Sequence, residues 1–124
     1  MEYRATIEGT VPSKSNTYRI ITVAGHPSLG KTKALREYER SFYLQAGPLR
    51  GAGVKDLFTL DVRVYYPSMQ HDLDNSLKVL LDCLQGVGAI RNDNRCVGIT
   101  AAKYIDKARP RVELTLRPVE IGND

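Results

Sequence analysis

Acidic side chains carry the sharpest chemical signal in this chain. His71-Asp72-Leu73-Asp74-Asn75 sets two carboxylates one residue apart, where a strand-like stretch gives way to a helix-like one. Two readings stand side by side. In the first, both acids serve the helix: Asp72 accepts hydrogen bonds from free backbone amides, and both charges favour the positive end of the dipole. In the second, they are hard oxygen ligands. A third acid, Asp93, lies in the polar turn Arg91-Asn92-Asp93-Asn94, shortly after the same helix ends. A short return of the chain could bring Asp93 beside the other two. Three gathered carboxylates repel unless a cation holds them, and oxygen donors without His or Cys select Mg²⁺ or Mn²⁺ over zinc.

Lys78 follows Asp74 by four residues, so both project from one side of the helix. As structure this is an ordinary i,i+4 ion pair. As chemistry it is a cation beside a candidate metal ligand, able to stabilise charge on a phosphate under attack.

A rival motif competes with the acids. Gly25-His26-Pro27-Ser28-Leu29-Gly30-Lys31-Thr32 matches the phosphate-binding pattern G-x-x-x-x-G-K-[ST], follows a strand and opens a helix. Asp61 could even pass for the strand-borne Asp that helps hold Mg²⁺. A nucleotide-hydrolysing domain of that kind, however, needs several parallel strands with crossover helices. After Asp61 only one helix and two strands remain. His26 and His71 lack the spaced partners of a zinc motif, and Cys83 and Cys96 read as small buried hydrophobes.

The elements that must position these residues follow from hydrophobic period. Residues 3–8 alternate as a half-buried strand, residues 9–16 are dense in turn formers, and residues 17–24 are β-branched enough for a second strand. A helix is expected over residues 32–46, with Leu35, Tyr38 and Phe42 at helical spacing. Residues 57–66 are the clearest strand, stopped by Pro67. Tyr65 and Tyr66 must then face opposite ways, one in the core and one free to stack on a base. Leu73, Leu77, Leu80, Leu81 and Leu84 form one apolar helix stripe, ended by Gly86-Val87-Gly88. Residues 97–105 and 111–117 read as strands of a terminal antiparallel hairpin. The expected class is α+β: one domain with a mixed β-sheet, two helices packed on it, and the order β-β-α-β-α-β-β. Residues 1–120 form that domain and residues 121–124 a short tail.

The chain has 124 residues, 42% hydrophobic and 26% charged, the balance of a globular domain rather than a disordered or fibrous one. No apolar run is long enough to span a bilayer, and the N-terminus lacks the apolar centre of a signal peptide, so a cytoplasmic protein with reduced thiols is expected. Eighteen Lys and Arg against fourteen Asp and Glu give a net charge of +4, which suits an anionic partner. Lys14, Arg19, Lys31, Lys33, Lys103, Lys107 and Arg109 are the candidate phosphate contacts.

Taken together, His71-Asp72-Leu73-Asp74-Asn75, then Lys78, then Asp93 after a Gly-containing turn, resemble the signature of the RusA family of Holliday-junction resolvases. Val11-Pro12-Ser13-Lys14-Ser15-Asn16-Thr17-Tyr18 is similar to that family's N-terminal Pro-Ser-x-Asn-x-x-Tyr stretch. The resemblance runs along almost the whole chain. It implies a small dimeric Mg²⁺-dependent endonuclease, with Mn²⁺ as a substitute, acting on four-way junction DNA without a nucleotide cofactor or a membrane. It also implies a bacterial or phage setting. Asp72, Asp74 and Asp93 take the metal-ligand positions and Lys78 that of the catalytic lysine. Asn75 supports the site, and Lys14, Asn16, Arg19 and Asn75 are its DNA-contact candidates. Two departures stand out: Asn92 occupies a place that is often acidic in the family, and Ser68-Met69-Gln70-His71 replaces an arginine-rich approach. The rivals are a branched-DNA-binding protein that has lost catalysis and the small nucleotide hydrolase built on residues 25–32.

Overall fold

The computed structural model describes residues 1–12 and 18–120. The elements are β1 (Tyr3–Glu8), β2 (Tyr18–Val23), β3 (His26–Lys31), α1 (Lys33–Gln45), β4 (Phe58–Tyr66), α2 (Leu73–Gly86), β5 (Cys96–Ile105) and β6 (Arg111–Pro118). Four strands make a mixed sheet in the order β1-β6-β4-β5, and β2 with β3 makes a separate two-stranded ribbon. The mixed sheet and two helices agree with the expected α+β class. The chain order gains one strand, β3. The expected tail, residues 121–124, lies outside the described residues.

β4 lies at the centre because its alternation is the strongest. Phe58, Leu60, Val62, Val64 and Tyr66 are buried on the face that meets the helices. Beside them lie Val112, Leu114 and Leu116 of β6 and Ile7 of β1. Leu35, Tyr38 and Phe42 of α1 and Val79, Leu80, Cys83 and Leu84 of α2 close over this layer. Each such side chain contributes about 1.5–3 kcal/mol by leaving water. The buried stripe of α2 is centred on these residues and Ser76, while Leu73, Leu77 and Leu81 are only partly covered.

The terminal strands do not form a hairpin. β5 pairs parallel with β4, so β4-α2-β5 is a crossover unit, and β6 inserts antiparallel between β4 and β1. Burial explains the exchange. β6 alternates cleanly and loses Val112, Leu114 and Leu116 to the core, as an inner strand does. β5 keeps Val97, Ile99 and Ile105 exposed and lies at the edge.

The residues that match the phosphate-binding pattern fold differently as well. Ala24 and Gly25 both take positive φ, the conformation of a tight hairpin turn, and residues 26–31 return along β2. Backbone amides that a phosphate loop would aim at a ligand belong here to a strand. Lys31 is at the end of that strand and pairs with Glu39 at 2.8 Å. Thr32 caps α1, its Oγ1 accepting from Leu35 N at 3.2 Å. The nucleotide-hydrolase reading is overturned on this topology.

Candidate active site

Helix α2 starts where β4 has ended and residues 67–71 have turned the chain. Asp72 occupies its N-cap position with extended backbone (φ −97°, ψ 128°), yet its side chain makes no capping hydrogen bond. The carboxylate therefore does not do the work that the structural reading of Asp72 required. Its neighbour is Asn75, whose Nδ2 lies 3.5 Å from Asp72 Oδ2. Asp74 follows in the first turn, exposed, where the helix dipole favours its charge.

Lys78 lies one turn further along and does not pair with Asp74 as the i,i+4 spacing suggested. Its ammonium turns the other way, 2.9 Å from Asp93 Oδ2 and 3.2 Å from Asp82 Oδ1. Hydrogen bonding to Asp93 first, then to Asp82, holds the Lys78 pKa above its ordinary value, so the cation persists at neutral pH.

Asp93 reaches this place because the chain leaving α2 is tied down. Gly53 N donates to Gly88 O, Val54 N to Ala89 O and Arg91 N to Val54 O, each at 2.9 Å. Gly88 takes φ 75°, the left-handed backbone that glycine adopts without strain, at the turn out of α2. Asn92 then caps the short 3-10 turn Asp93–Arg95, its Oδ1 accepting from Asn94 N at 3.0 Å. In this fold Asn92 shapes the turn that presents Asp93.

Residues 67–71 are pinned from beneath by side chains whose role was not legible in the sequence pattern. Lys103 of β5 donates from Nζ to Met69 O at 3.0 Å and to His71 O, and lies 5.6 Å from the centre of the Tyr66 ring. The Tyr66 hydroxyl donates to Asp72 O at 3.2 Å and is hydrogen-bonded to the buried Ser76 hydroxyl. Burial raises the Tyr66 pKa, so it remains a hydroxyl. The His71 ring stacks on Tyr66, centroids 4.9 Å apart and nearly parallel. Three carbonyls, those of residues 69, 71 and 72, thus turn inward to donors. One signal did mark Lys103: strand alternation sets it on the face shared by Ile99, Ala101 and Ile105, where a lysine needs a reason.

The basic candidates now separate. Lys103 is spent on the loop, Arg109 pairs with Glu8 at 2.6 Å, and Lys31 and Lys33 pair with Glu39 and Glu37. Arg19 and Lys107 are exposed, with no ion pair among the described residues. Lys14 and Asn16 lie outside the described residues. Tyr65 is not free to meet a base, being held between Arg111 at 3.7 Å and Tyr104 at 4.9 Å.

Chemically, Asp72, Asp74 and Asp93 are a hard-oxygen donor set, which suits a small divalent cation. Among the described residues no three His, Cys, Asp or Glu side chains stand close enough together to form a ready-made metal cluster. Asp93 instead meets Lys78, which neutralises one of the three like charges.

Residues 11–117 match a family model described as Endodeoxyribonuclease RusA. The chain belongs to the RusA family. It is also 29% identical over 72 residues to a protein from Aquifex aeolicus (strain VF5) named Crossover junction endodeoxyribonuclease RusA. That aligned stretch covers 57% of each chain, so the match spans little more than half of this RusA relative. The family match takes in β2 through β6 and with them Asp72, Asp74, Lys78 and Asp93.

Proposed function

We propose that this RusA-family chain is a divalent-metal-dependent endodeoxyribonuclease that resolves four-way DNA junctions by paired nicks. The observation that carries the reading is the Asp72 carboxylate, which caps no backbone amide of the helix it precedes. A helix-capping acid would be spent on backbone amides, whereas this one stays exposed near Asp74 at the start of α2, and Lys78 in the next turn reaches Asp93. Asp72, Asp74 and Asp93 would hold the ion, Mg²⁺ with Mn²⁺ as a substitute. A bound divalent cation lowers the pKa of water and offsets charge on a phosphodiester.

The remaining steps belong to the chain. Lys103 and Tyr66 hold three backbone carbonyls inward, and Asn75 steadies Asp72 Oδ2, so the carboxylate faces solvent and substrate. Lys78 brings a permanent positive charge to the same surface, where it can stabilise the phosphate oxygens or the leaving oxygen. Asp93 and Asp82 aim that ammonium.

A four-way junction has approximate two-fold symmetry, so a C2 dimer presents one site to each of two opposed strands. We assign the dimer contact to the edge of β5, ten residues long with Val97, Ile99 and Ile105 exposed, since such an edge invites another copy. DNA as substrate implies the cytoplasm of a bacterium or of a phage-infected cell. Among the described residues no helix is long and apolar enough to cross a membrane.

The test is an end-labelled four-way junction incubated with the protein and Mg²⁺, beside a linear duplex. Symmetric nicks near the crossover, confined to the junction, are expected. Tight binding without a cut in Mg²⁺ or Mn²⁺ would replace this reading with a branched-DNA-binding protein.

A further inference from the structure

The β2–β3 ribbon has no part in the acidic site, yet its surface is unusual. Ile20 and Leu29 face each other across the strands and are 78% and 71% exposed. Tyr18 and Val23 are about half exposed. Single exposed apolar residues are common on proteins, but a cluster on one slender ribbon marks a contact surface. A two-stranded hairpin is barely stable by itself in water, so a ribbon that leaves its apolar pair uncovered gains little from that pair unless something binds it.

Register shows where this surface leads. Tyr18 pairs with Lys31, Ile20 with Leu29 and Thr22 with Pro27, so these six side chains share one face. Tyr18 and Lys31, at the base of that face, line a groove of about 810 Å³ whose other wall is α2, with Asn75, Lys78, Asp82 and Gln85. One groove therefore runs from the apolar ribbon to the catalytic lysine.

Charge indicates what the groove accepts. Each lysine in it is matched by an acid, Lys31 by Glu39 at 2.8 Å and Lys78 by Asp82 at 3.2 Å. Leu35, Val79 and the Tyr18 ring supply apolar wall. The ribbon end of the groove, where Lys31 is neutralised and Tyr18, Leu35 and Val79 form the wall, is a good seat for a flat, apolar-faced ring. Residues 18–31 hold no acid, and Arg19 is exposed with no ion pair among the described residues, so the ribbon presents a cation to a polyanion.

We propose that the ribbon face and this groove receive an unstacked nucleobase at the branch point of junction DNA, and that they set the preference for branched over linear DNA. The proposal rests on the nuclease reading. Within a duplex a base leaves its stack at considerable cost, whereas at a branch point much of that cost is already met. Apolar and aromatic side chains stack on any base without reading its identity. Selection by structure rather than by sequence follows.

The experiment uses the full chain and a four-way junction carrying 2-aminopurine at the branch point, with the probe in mid-arm as control. Binding is followed by fluorescence in EDTA. Unstacking should raise fluorescence at the branch point and not in the arm. Ile20→Ser with Leu29→Ser, both exposed positions, should abolish that rise. The pair should weaken junction binding about tenfold and leave duplex binding unchanged. Tyr18→Ala should act in the same direction, and Tyr18→Phe should behave as the parent.

An unchanged junction preference in the serine pair, with the unsubstituted protein cutting junctions normally, overturns the ribbon assignment alone. Failure of the unsubstituted protein to bind or cut a junction would fall on the nuclease reading itself. Conversion of a dimer to a monomer by the serine pair, read by light scattering, would give the ribbon to a second copy and also overturn the proposal.

Discussion

Lys78 Nζ lies 2.9 Å from Asp93 Oδ2, joining the second turn of α2 to the short turn that precedes β5. The pair links two segments of the chain that the hydrogen bonds around Gly53 and Val54 have already brought together. It also explains the turn of Lys78 away from Asp74: toward the helix C-terminus it meets two carboxylates, Asp82 and Asp93, rather than one.

Lys78→Met therefore should cost chemistry and not structure. Exposed ion pairs contribute little to folding, so stability should shift by less than about 1 kcal/mol. Single-turnover junction cleavage should fall about 100-fold or more, as for loss of one aimed charge donor, while junction affinity holds within about twofold. A cleavage rate unchanged by the substitution would remove Lys78 from the catalytic set.

Lys103→Met should act through the loop. Without the ammonium, the Met69 and His71 carbonyls lose their charged donor, at about 1.5–3 kcal/mol. Denaturant unfolding should register that loss, and amide exchange over residues 68–72 should quicken. Parent-like exchange there would contradict the clamp.

Tyr38 carries the one buried side-chain polar atom without a hydrogen-bond partner among the described residues. Its ring packs beside Phe42, with centroids 6.4 Å apart, and burial pushes its pKa far up. Tyr38→Phe keeps the ring and removes the orphan hydroxyl, so stability should rise by about 1 kcal/mol or more. A lower melting temperature would show that the hydroxyl has a partner.

Burial raises the Cys83 thiol pKa from 9.0 to about 12. The unfolded chain loses this proton first, so the thiol's contribution to stability is whole below pH 9 and declines as pH rises toward 12. In urea titrations from pH 8 to 11, Cys83→Ala should flatten that decline relative to the parent. At pH 8 native Cys83 should resist alkylation until the protein unfolds. Rapid labelling of the folded protein would contradict its burial.

Legibility in the sequence followed periodicity. β4 announced itself because one face is wholly buried, and α1 and α2 because their leucine and aromatic spacing points at one core. β3 was hidden because its Gly, Pro and Ser have turn chemistry and its one large apolar side chain, Leu29, makes no alternating run. In an exposed two-stranded ribbon, strand pairing tolerates Pro27. The β5–β6 partnership was misread for a different reason: a five-residue connection suits a hairpin, and only burial reveals that β6 belongs inside the sheet. The acids and Lys78 were visible as residue types at a spacing. Their loop clamp was not, since Lys103 is 32 residues from the carbonyl of His71 that it holds.

The most direct measurement is the single-turnover cleavage of a four-way junction in Mg²⁺ by the parent and by Asp74→Asn, with junction affinity measured in parallel. The asparagine variant should bind as the parent does and make no symmetric nicks. Paired nicks at the parent rate from Asp74→Asn would contradict the assignment of Asp74 to the metal site.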